Sequence, residues 1–288
     1  MILKLANFMF RDVSKKIAIF FPELGNTLKK IGLKMSLEEY LALAIFTSFL
    51  IFLILFPVLS LVFTLLFPLY MFTYLSAFLV ALGVSVMSFL FFIFLPAQIK
   101  RSKAKKIENE LPFATLYLSA ISSSNLPLPQ TLEIYERTSI HKNVKKEIGN
   151  VVRNLKYFGM DVITALEKAI ERTPSKKMEE LFWGIVTTLR AGGNLTNYLK
   201  EKSKELFNEH LRKIYEFAHS LTFYVEIYLI SVVLGVLFFI ILTSIFAGIT
   251  GVGFNLIELQ FFLAFLFLPL IAFVFMLLIK AASPGGEY

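Results

Sequence analysis

From Tyr40 through Ile99 the chain carries no Asp, Glu, Lys, Arg or His. A helix needs about 20 apolar residues to cross the hydrocarbon core of a bilayer, so a run of this length is too long for one span and suits two. A second uncharged run lies between Glu226 and Glu258, and a third extends from Leu259 to Ile279. Between the first run and the other two sits a long polar segment, residues 100–226. The pattern is that of a membrane protein with one sizeable polar domain, and its function should lie in what that domain touches.

Composition agrees. Hydrophobic residues make up 57% of the chain and charged residues 17%, far from a soluble globular balance. Thirty-two Phe against one Trp point to bulky apolar spans without a rich indole belt. The absence of Cys excludes disulfides, thiolate metal sites and cysteine nucleophiles.

The net charge of +8 is distributed in a way that argues against nucleic acid as a partner. Residues 1–39 hold seven Lys/Arg and four acids, and residues 98–226 hold twenty-one and fifteen. The connections between paired spans, around Thr64–Tyr70 and Gly248–Ile257, hold no Lys or Arg. The positive-inside tendency therefore places the N-terminus, the central domain and the C-terminus in the cytoplasm of a multi-pass protein of the cell (inner) membrane. Lys100, Arg101, Lys103, Lys105 and Lys106 directly follow the second span and suit a lipid and topology anchor on anionic headgroups. No cleavable signal peptide is expected, because Lys4, Arg11, Lys15 and Lys16 interrupt the N-terminus and Ile17–Phe21 is too short for a signal core. Residues 1–34 read either as amphipathic helices on the membrane surface or as a helix packed on the central domain.

Punctuation along the chain predicts helices throughout. Ser36-Leu-Glu-Glu39 is a capping box that opens span one, Tyr40 to Leu61. Pro57 kinks or ends it, and Pro68 falls in the outer turn. Span two runs from Met71 to Leu95, with Gly83, Ser85 and Ser88 offering surface for close packing and Pro96 ending or kinking it. Apolar residues at Ile107, Leu111, Ala114, Leu118 and Ile121 keep helical spacing up to Ser122, and Asn125 suits a left-handed cap. Further helices are expected over Leu128–Thr138 and Val144–Tyr157, with Gly159 as a stop. Asp161 caps the next helix. Thr173-Pro174 reads as an N-cap followed by Pro at the first helical position. That helix ends at Gly192-Gly193, and a long last helix from Leu195 feeds span three, Ile227–Phe246. Gly248, Gly251 and Gly253 form the turn to span four, Leu259–Ile279, and Ser283–Tyr288 is a frayed tail.

The expected architecture is thus all-α: a polytopic protein with four transmembrane helices and a cytoplasmic bundle of about six helices. Its parts are an amphipathic N-terminal segment (1–39), a transmembrane hairpin (40–97), the cytoplasmic domain (98–222), a second hairpin (223–280) and a tail (281–288).

Catalytic motifs are missing. No HExxH, phosphate loop or GxSxG occurs. His210 and His219 are nine residues apart and so do not share a helix face as a chelating pair would. No carboxylate or Lys falls within a span, which weighs against ion-coupled transport. Charged clusters on the domain, including Glu133, Glu136, Glu179, Glu180 and the four-residue repeat Glu201, Glu205, Glu209, read as solvated faces with supporting ion pairs or as a docking face for a protein.

The central segment resembles the F domain of type II secretion and type IV pilus machines, whose members are inner-membrane platform proteins. The resemblance rests on Glu110-Leu111-Pro112-Phe113, the break at Ser122–Asn125, Leu126–Leu132, Phe158-Gly159 through Ala165-Leu166, Thr173-Pro174-Ser175, and Leu189 through Gly192-Gly193-Asn194-Leu195. These are helix punctuation marks whose order, spacing and membrane framing match over roughly residues 100–220. Pro112, Gly159, Pro174, Gly192 and Gly193 are its architectural positions. Where the family usually has Gly at the first break, this chain has Ser124-Asn125. One such domain between paired spans is most similar to the short Tad-type and archaeal pilus or archaellum-related members. The resemblance implies a non-enzymatic platform without cofactor. A hexameric secretion ATPase would dock beneath it, pilin-like subunits would be its cargo, and a second copy or a paralogous platform subunit would complete it. Glu108, Glu110, Glu201 and Glu205, at the junctions with spans two and three, are the expected partner contacts. The rivals are a small-solute transporter or channel subunit, which predicts polar residues lining the spans, and a membrane sensor, which predicts a substantial outer domain.

Overall fold

The structure is a computed structural model that describes residues 2–33, 35–66, 70–124, 126–250, 258, 261, 265–266 and 268–282. Pro68, Asn125, Gly251, Gly253 and the tail from Ser283, each given a part above, lie outside the described residues. Every described element is helical, and no strand occurs among the described residues. Three helical runs are long and apolar enough to cross a membrane: Leu37–Leu65, Tyr74–Ser122 and Leu195–Phe246. A shorter apolar helix covers Pro269–Lys280. By contacts the chain divides into two compact units, residues 1–203 and 204–288.

The first unit begins with α1 (Ile2–Ala18) and α2 (Pro22–Ile31), followed by α3 (Leu37–Leu66) and α4 (Tyr70–Ser122). The capping box forms as the sequence suggests. The Ser36 amide donates to Glu39 Oε2 at 2.9 Å and the Glu39 amide to Ser36 Oγ at 3.2 Å, so two orphan donors are satisfied at the entrance to α3. α3 and α4 pair along a seam that includes small residues: Ala44 on one side, Ala77 and Ala81 on the other, all fully buried. One turn further on, Ser85 Oγ donates to the Ser48 carbonyl at 2.8 Å. Small side chains let two apolar helices approach when lipid removes the hydrophobic drive between them. Gly83, expected to offer surface for close helix packing, faces open space; the four-residue repeat 77–81–85 sets the contact face with α3, and Gly83 is off it. Large apolar side chains such as Leu53, Phe72, Met87, Phe91 and Phe94 are exposed around the pair. Apolar surface on that scale suits lipid, not water.

Prolines end neither helix. α3 continues through Pro57 to Leu66, and α4 passes through both Pro96 and Pro112. α4 is therefore a single helix of 53 residues that starts in the uncharged run and finishes in the polar domain.

The domain is assembled on that polar half. α5 (Leu128–Thr138), α6 (Lys142–Phe158), α7 (Val162–Arg172) and α8 (Lys176–Arg190) follow with short connections. Each packs on its chain neighbour, and α5, α6 and α8 also touch α4. Ile107, Leu111, Ala114 and Leu118 give α4 one buried face. Leu132, Ile148, Leu166 and Phe182, one from each partner helix, are among the residues buried in this unit. Each such side chain removed from water contributes about 1.5–3 kcal/mol before conformational entropy is counted. α2 lies against α4 and α7, and α1 lies against α3. α9 (Leu195–Tyr228) begins in this unit, where Leu199 and Ser203 are buried.

In the second unit α9 continues with i,i+4 pairs, Lys213 to Glu209 at 3.3 Å and Arg212 to Glu216 at 3.6 Å. A π-helical stretch, Leu229–Leu234, leads into α10 (Gly235–Thr250). Gly248, expected in a turn, is inside α10; the apolar neighbours Ile249 and Phe246 carry the helix past it. α11 (Leu268–Ala282) returns, with Phe275 edge-on to Tyr228 at a ring separation of 5.3 Å. Beside this pair is an apolar cavity of about 260 Å³ lined by Tyr224, Val225, Met276 and Ile279 among others.

Candidate docking and coupling site

The residues singled out at the membrane–domain junction hold the bundle together from α4. Glu110 reaches the start of α6, where its Oε2 accepts from the amides of Asn143 (2.8 Å) and Val144 (3.0 Å) and its Oε1 from Asn143 Nδ2 (2.7 Å). The N-cap residue His141 supplies no side-chain cap. A carboxylate from another helix thus takes over the orphan amides, and its charge sits at the favourable end of the α6 dipole. One half-turn earlier, Glu108 Oε1 accepts from Ser175 Oγ at 3.0 Å. Ser175 Oγ in turn accepts from the Met178 amide at 3.3 Å and caps α8. Two acids on one turn of α4 therefore fix the N-termini of two bundle helices.

This assigns the α8 cap to Ser175 in place of Thr173. Thr173 closes α7, its amide donating to the Ala169 carbonyl, and its buried hydroxyl has no partner. Pro174 is buried between the two caps. Asp161 caps α7 through the Thr164 amide at 3.0 Å, and hydrogen bonding from the Thr164 hydroxyl, then from its amide, holds the carboxyl below the usual range. Gly159 and Gly192 end α6 and α8 with φ of 62° and 67°, a left-handed conformation that suits glycine. Gly193 follows, its amide donating to the Thr188 carbonyl at 2.9 Å. Pro112 is buried inside α4, where the Thr115 hydroxyl bonds the Leu111 carbonyl.

The basic run is split in its uses. Lys103 Nζ donates to the Ile31 carbonyl at 2.6 Å and so caps the C-terminus of α2. Lys30, next to it, pairs with Glu179 of α8 at 3.2 Å. Arg101, Lys105 and Lys106 are exposed, and Lys100 is half-buried. Lys103 also faces Glu147 of α6, whose carboxyl is pushed up by burial, with Lys146 and Lys103 opposing that shift. Glu133 is held low by a hydrogen bond from Lys156, with Arg137 adding to it.

α9 is attached at its first turns. Thr196 Oγ1 donates to the Ser122 carbonyl at 3.0 Å, and the Ser122 and Thr196 hydroxyls meet at 3.0 Å. Tyr198 Oη donates to the Leu181 carbonyl at 3.3 Å. The tyrosine lies directly over Gly184, where an added Cβ would come within 1.8 Å of its hydroxyl oxygen. The sequence gives no hint of this notch, because an isolated Gly in a helix has no spacing signature. Glu201 and Glu205 follow on α9, one turn apart and both exposed. The carboxylates of Glu108 and Glu110 are engaged within the bundle.

Among the described residues no group of three or more His, Cys, Asp or Glu is placed to hold a metal ion. His141 stacks on Phe113 at 6.4 Å. The arrangement ties helix ends to one long helix and presents charged faces outward.

Comparison with known proteins fits this picture. An uncharacterized protein of Methanocaldococcus jannaschii is 29% identical over 289 residues, an alignment covering 98% of this chain and 45% of that protein. The chain thus spans less than half the length of that relative. No solved structure matches. Residues 114–243 match the family model described as type II secretion system (T2SS), protein F. The matched stretch runs from Ala114 in α4 to Thr243 in α10.

Proposed function

We propose that the protein is a membrane platform of a type IV pilus or type II secretion-like machine. It couples a cytoplasmic secretion ATPase to the assembly or export of pilin-like subunits, and it performs no covalent chemistry itself. In this reading the chain crosses the cytoplasmic membrane four times with both termini in the cytoplasm, since the connections between paired spans hold no Lys or Arg. A second copy or a paralogous subunit completes the platform.

The observation that carries the reading is the continuity of α4 from the uncharged run to Glu108 and Glu110, which hold the ends of α8 and α6. A displacement of the bundle is then felt by the apolar part of the same helix. Glu201 and Glu205, exposed on α9, are the docking residues; Glu108 and Glu110 act from inside the bundle by setting its shape.

The test is co-purification from detergent with a candidate secretion ATPase from the same genome. Capture of the ATPase is the expected result, and Glu201→Lys with Glu205→Lys should weaken it. Capture unaffected by the reversal removes those two residues from the docking face. No capture at all refutes the coupling role.

A further inference from the structure

The depth of α1 is set by α3. The Phe10 ring lies 6.4 Å from Phe46 and 5.9 Å from Phe49. At the other end of α1, Ile17, Ala18 and Phe21 pack on a cluster containing Tyr40 and Leu41. Advancing along α1 from 10 to 18 therefore means retreating along α3 from 49 to 40, and the two helices are antiparallel. α3 enters its uncharged stretch at Tyr40. At about 1.5 Å per residue, Phe46 and Phe49 lie roughly 9 and 14 Å beyond that point. A helix lying flat on a membrane surface would not reach them.

The rest of α1 divides by side. Phe10, Ser14, Ile17 and Ala18 form the contact stripe, with Ser14 fully buried. At 3.6 residues per turn, Met9 and Val13 fall within about 40° of one another on one flank of that stripe, and Phe20 follows just past the helix end. They are 55%, 47% and 79% exposed, and Lys16, also exposed, is on the Met9 side two turns nearer the C-terminal end of α1. Arg11 and Lys15, also exposed and one turn apart, occupy the other flank. Long basic side chains can reach toward headgroups while their stems stay among apolar groups.

We infer that α1 is embedded in the leaflet at the Tyr40 end of span one, alongside α3. Met9 and Val13 lie among acyl chains, Phe20 lies at the interface, and Arg11 with Lys15 hold the phosphate of an anionic phospholipid. The site's ligand is a bilayer lipid, and it gives the N-terminal segment a role in seating the platform at an acidic membrane surface. The inference rests on the reading that α3 spans a bilayer.

Because the chain has no native Cys, single-cysteine labelling is clean. Met9→Cys, Leu53→Cys and Glu180→Cys, each carrying a fluorophore, are reconstituted into nanodiscs of phosphatidylcholine and phosphatidylglycerol. The Met9 label should be quenched by doxyl-acyl lipids as strongly as the Leu53 label, and shielded from aqueous iodide, which quenches the Glu180 label. Iodide quenching of the Met9 label, or shielding from both quenchers as a protein partner would cause, overturns the inference. A Leu53 label untouched by doxyl lipid defeats the spanning reading instead. For the headgroup, doxyl-phosphatidylglycerol should quench a Val13→Cys label at least about twofold more than the phosphatidylcholine analogue. Arg11→Gln with Lys15→Gln should erase that difference; its persistence overturns the phosphate assignment.

Discussion

The Tyr40 hydroxyl donates to the carbonyl oxygen of Phe92 at 2.7 Å, and that carbonyl is the one Pro96 deprives of its helical donor. A proline lacks the N–H that would bond four residues back. In an apolar setting the orphan acceptor would cost about 1–3 kcal/mol, and a side chain from α3 removes that cost. Tyr40→Phe should destabilise the protein by about 1–2 kcal/mol. In a Pro96→Ala background, where residue 96 regains its amide, the same change should cost far less. Thermal unfolding of the four proteins in one detergent reads the coupling; equal costs in both backgrounds would show that the two residues act separately.

The caps of α8 and α7 can be separated by paired substitutions. Ser175→Ala removes both the Met178 amide acceptor and the donor to Glu108, and should cost about 1–2 kcal/mol. Thr173→Val replaces an unpartnered buried hydroxyl by a methyl, and should be neutral or stabilising by up to about 1 kcal/mol. Unfolding midpoints in the reverse order would return the cap to Thr173.

Glu110→Ala strips three hydrogen bonds from the start of α6 and should lower stability by about 1–3 kcal/mol. Glu110→Gln keeps acceptor capacity without charge and should fall between the two. Amide hydrogen exchange should rise first at Asn143 and Val144; unchanged protection there would rule out the cap.

Gly184→Ala forces a methyl into the space of the Tyr198 phenol, so it should cost about 1–3 kcal/mol through overpacking and free the first turns of α9. Tyr198→Ala in the same chain should recover part of that loss. A purely additive pair would mean that the ring does not occupy the notch.

Glu147 has its carboxyl pushed up by burial. In the folded state it therefore binds a proton that the unfolded chain has already released. Its contribution to stability is present at low pH and is lost as pH rises from the ordinary value of 4.5 through the raised one. Glu147→Gln should accordingly stabilise the protein at neutral pH and flatten the stability profile above pH 4.5. The carboxyls of Asp161 and Glu133, both held low, act with the opposite sign and weaken the fold on acidification. A Gln variant with the parent's pH profile would show that Glu147 is hydrated.

Local chemistry made much of this fold legible. Ser36 with Glu39, Asp161, Gly159 and Gly192 each act on their own backbone neighbourhood, and each behaves in the structure as its sequence context suggests. Readings failed where the deciding partner is remote in sequence. Thr173 and Ser175 are equally good caps in isolation, and Glu108, 67 residues away, favours Ser175. Pro96 reads as either an end or a kink, and what carries the helix through it, the Tyr40 hydroxyl on the orphan carbonyl, lies 52 residues away. Gly83 reads as packing surface by its size alone, whereas the α3–α4 seam follows the four-residue spacing of Ala77, Ala81 and Ser85. Of the candidate site, Glu108 and Glu110 stand out by position next to the basic run, but their tie to helix ends depends on where α6 and α8 are folded.

α4 has a consequence for biogenesis. Its apolar half must be settled in the bilayer while ribosomal synthesis of α5 to α8 is still under way. The polar half then leaves the membrane already helical, with Ile107, Leu111, Ala114 and Leu118 aligned on one side and waiting for partners. Each later helix can condense on that template as it emerges, so a chain whose second apolar segment is mis-inserted should be unable to mature its globular half and should be cleared by proteolysis.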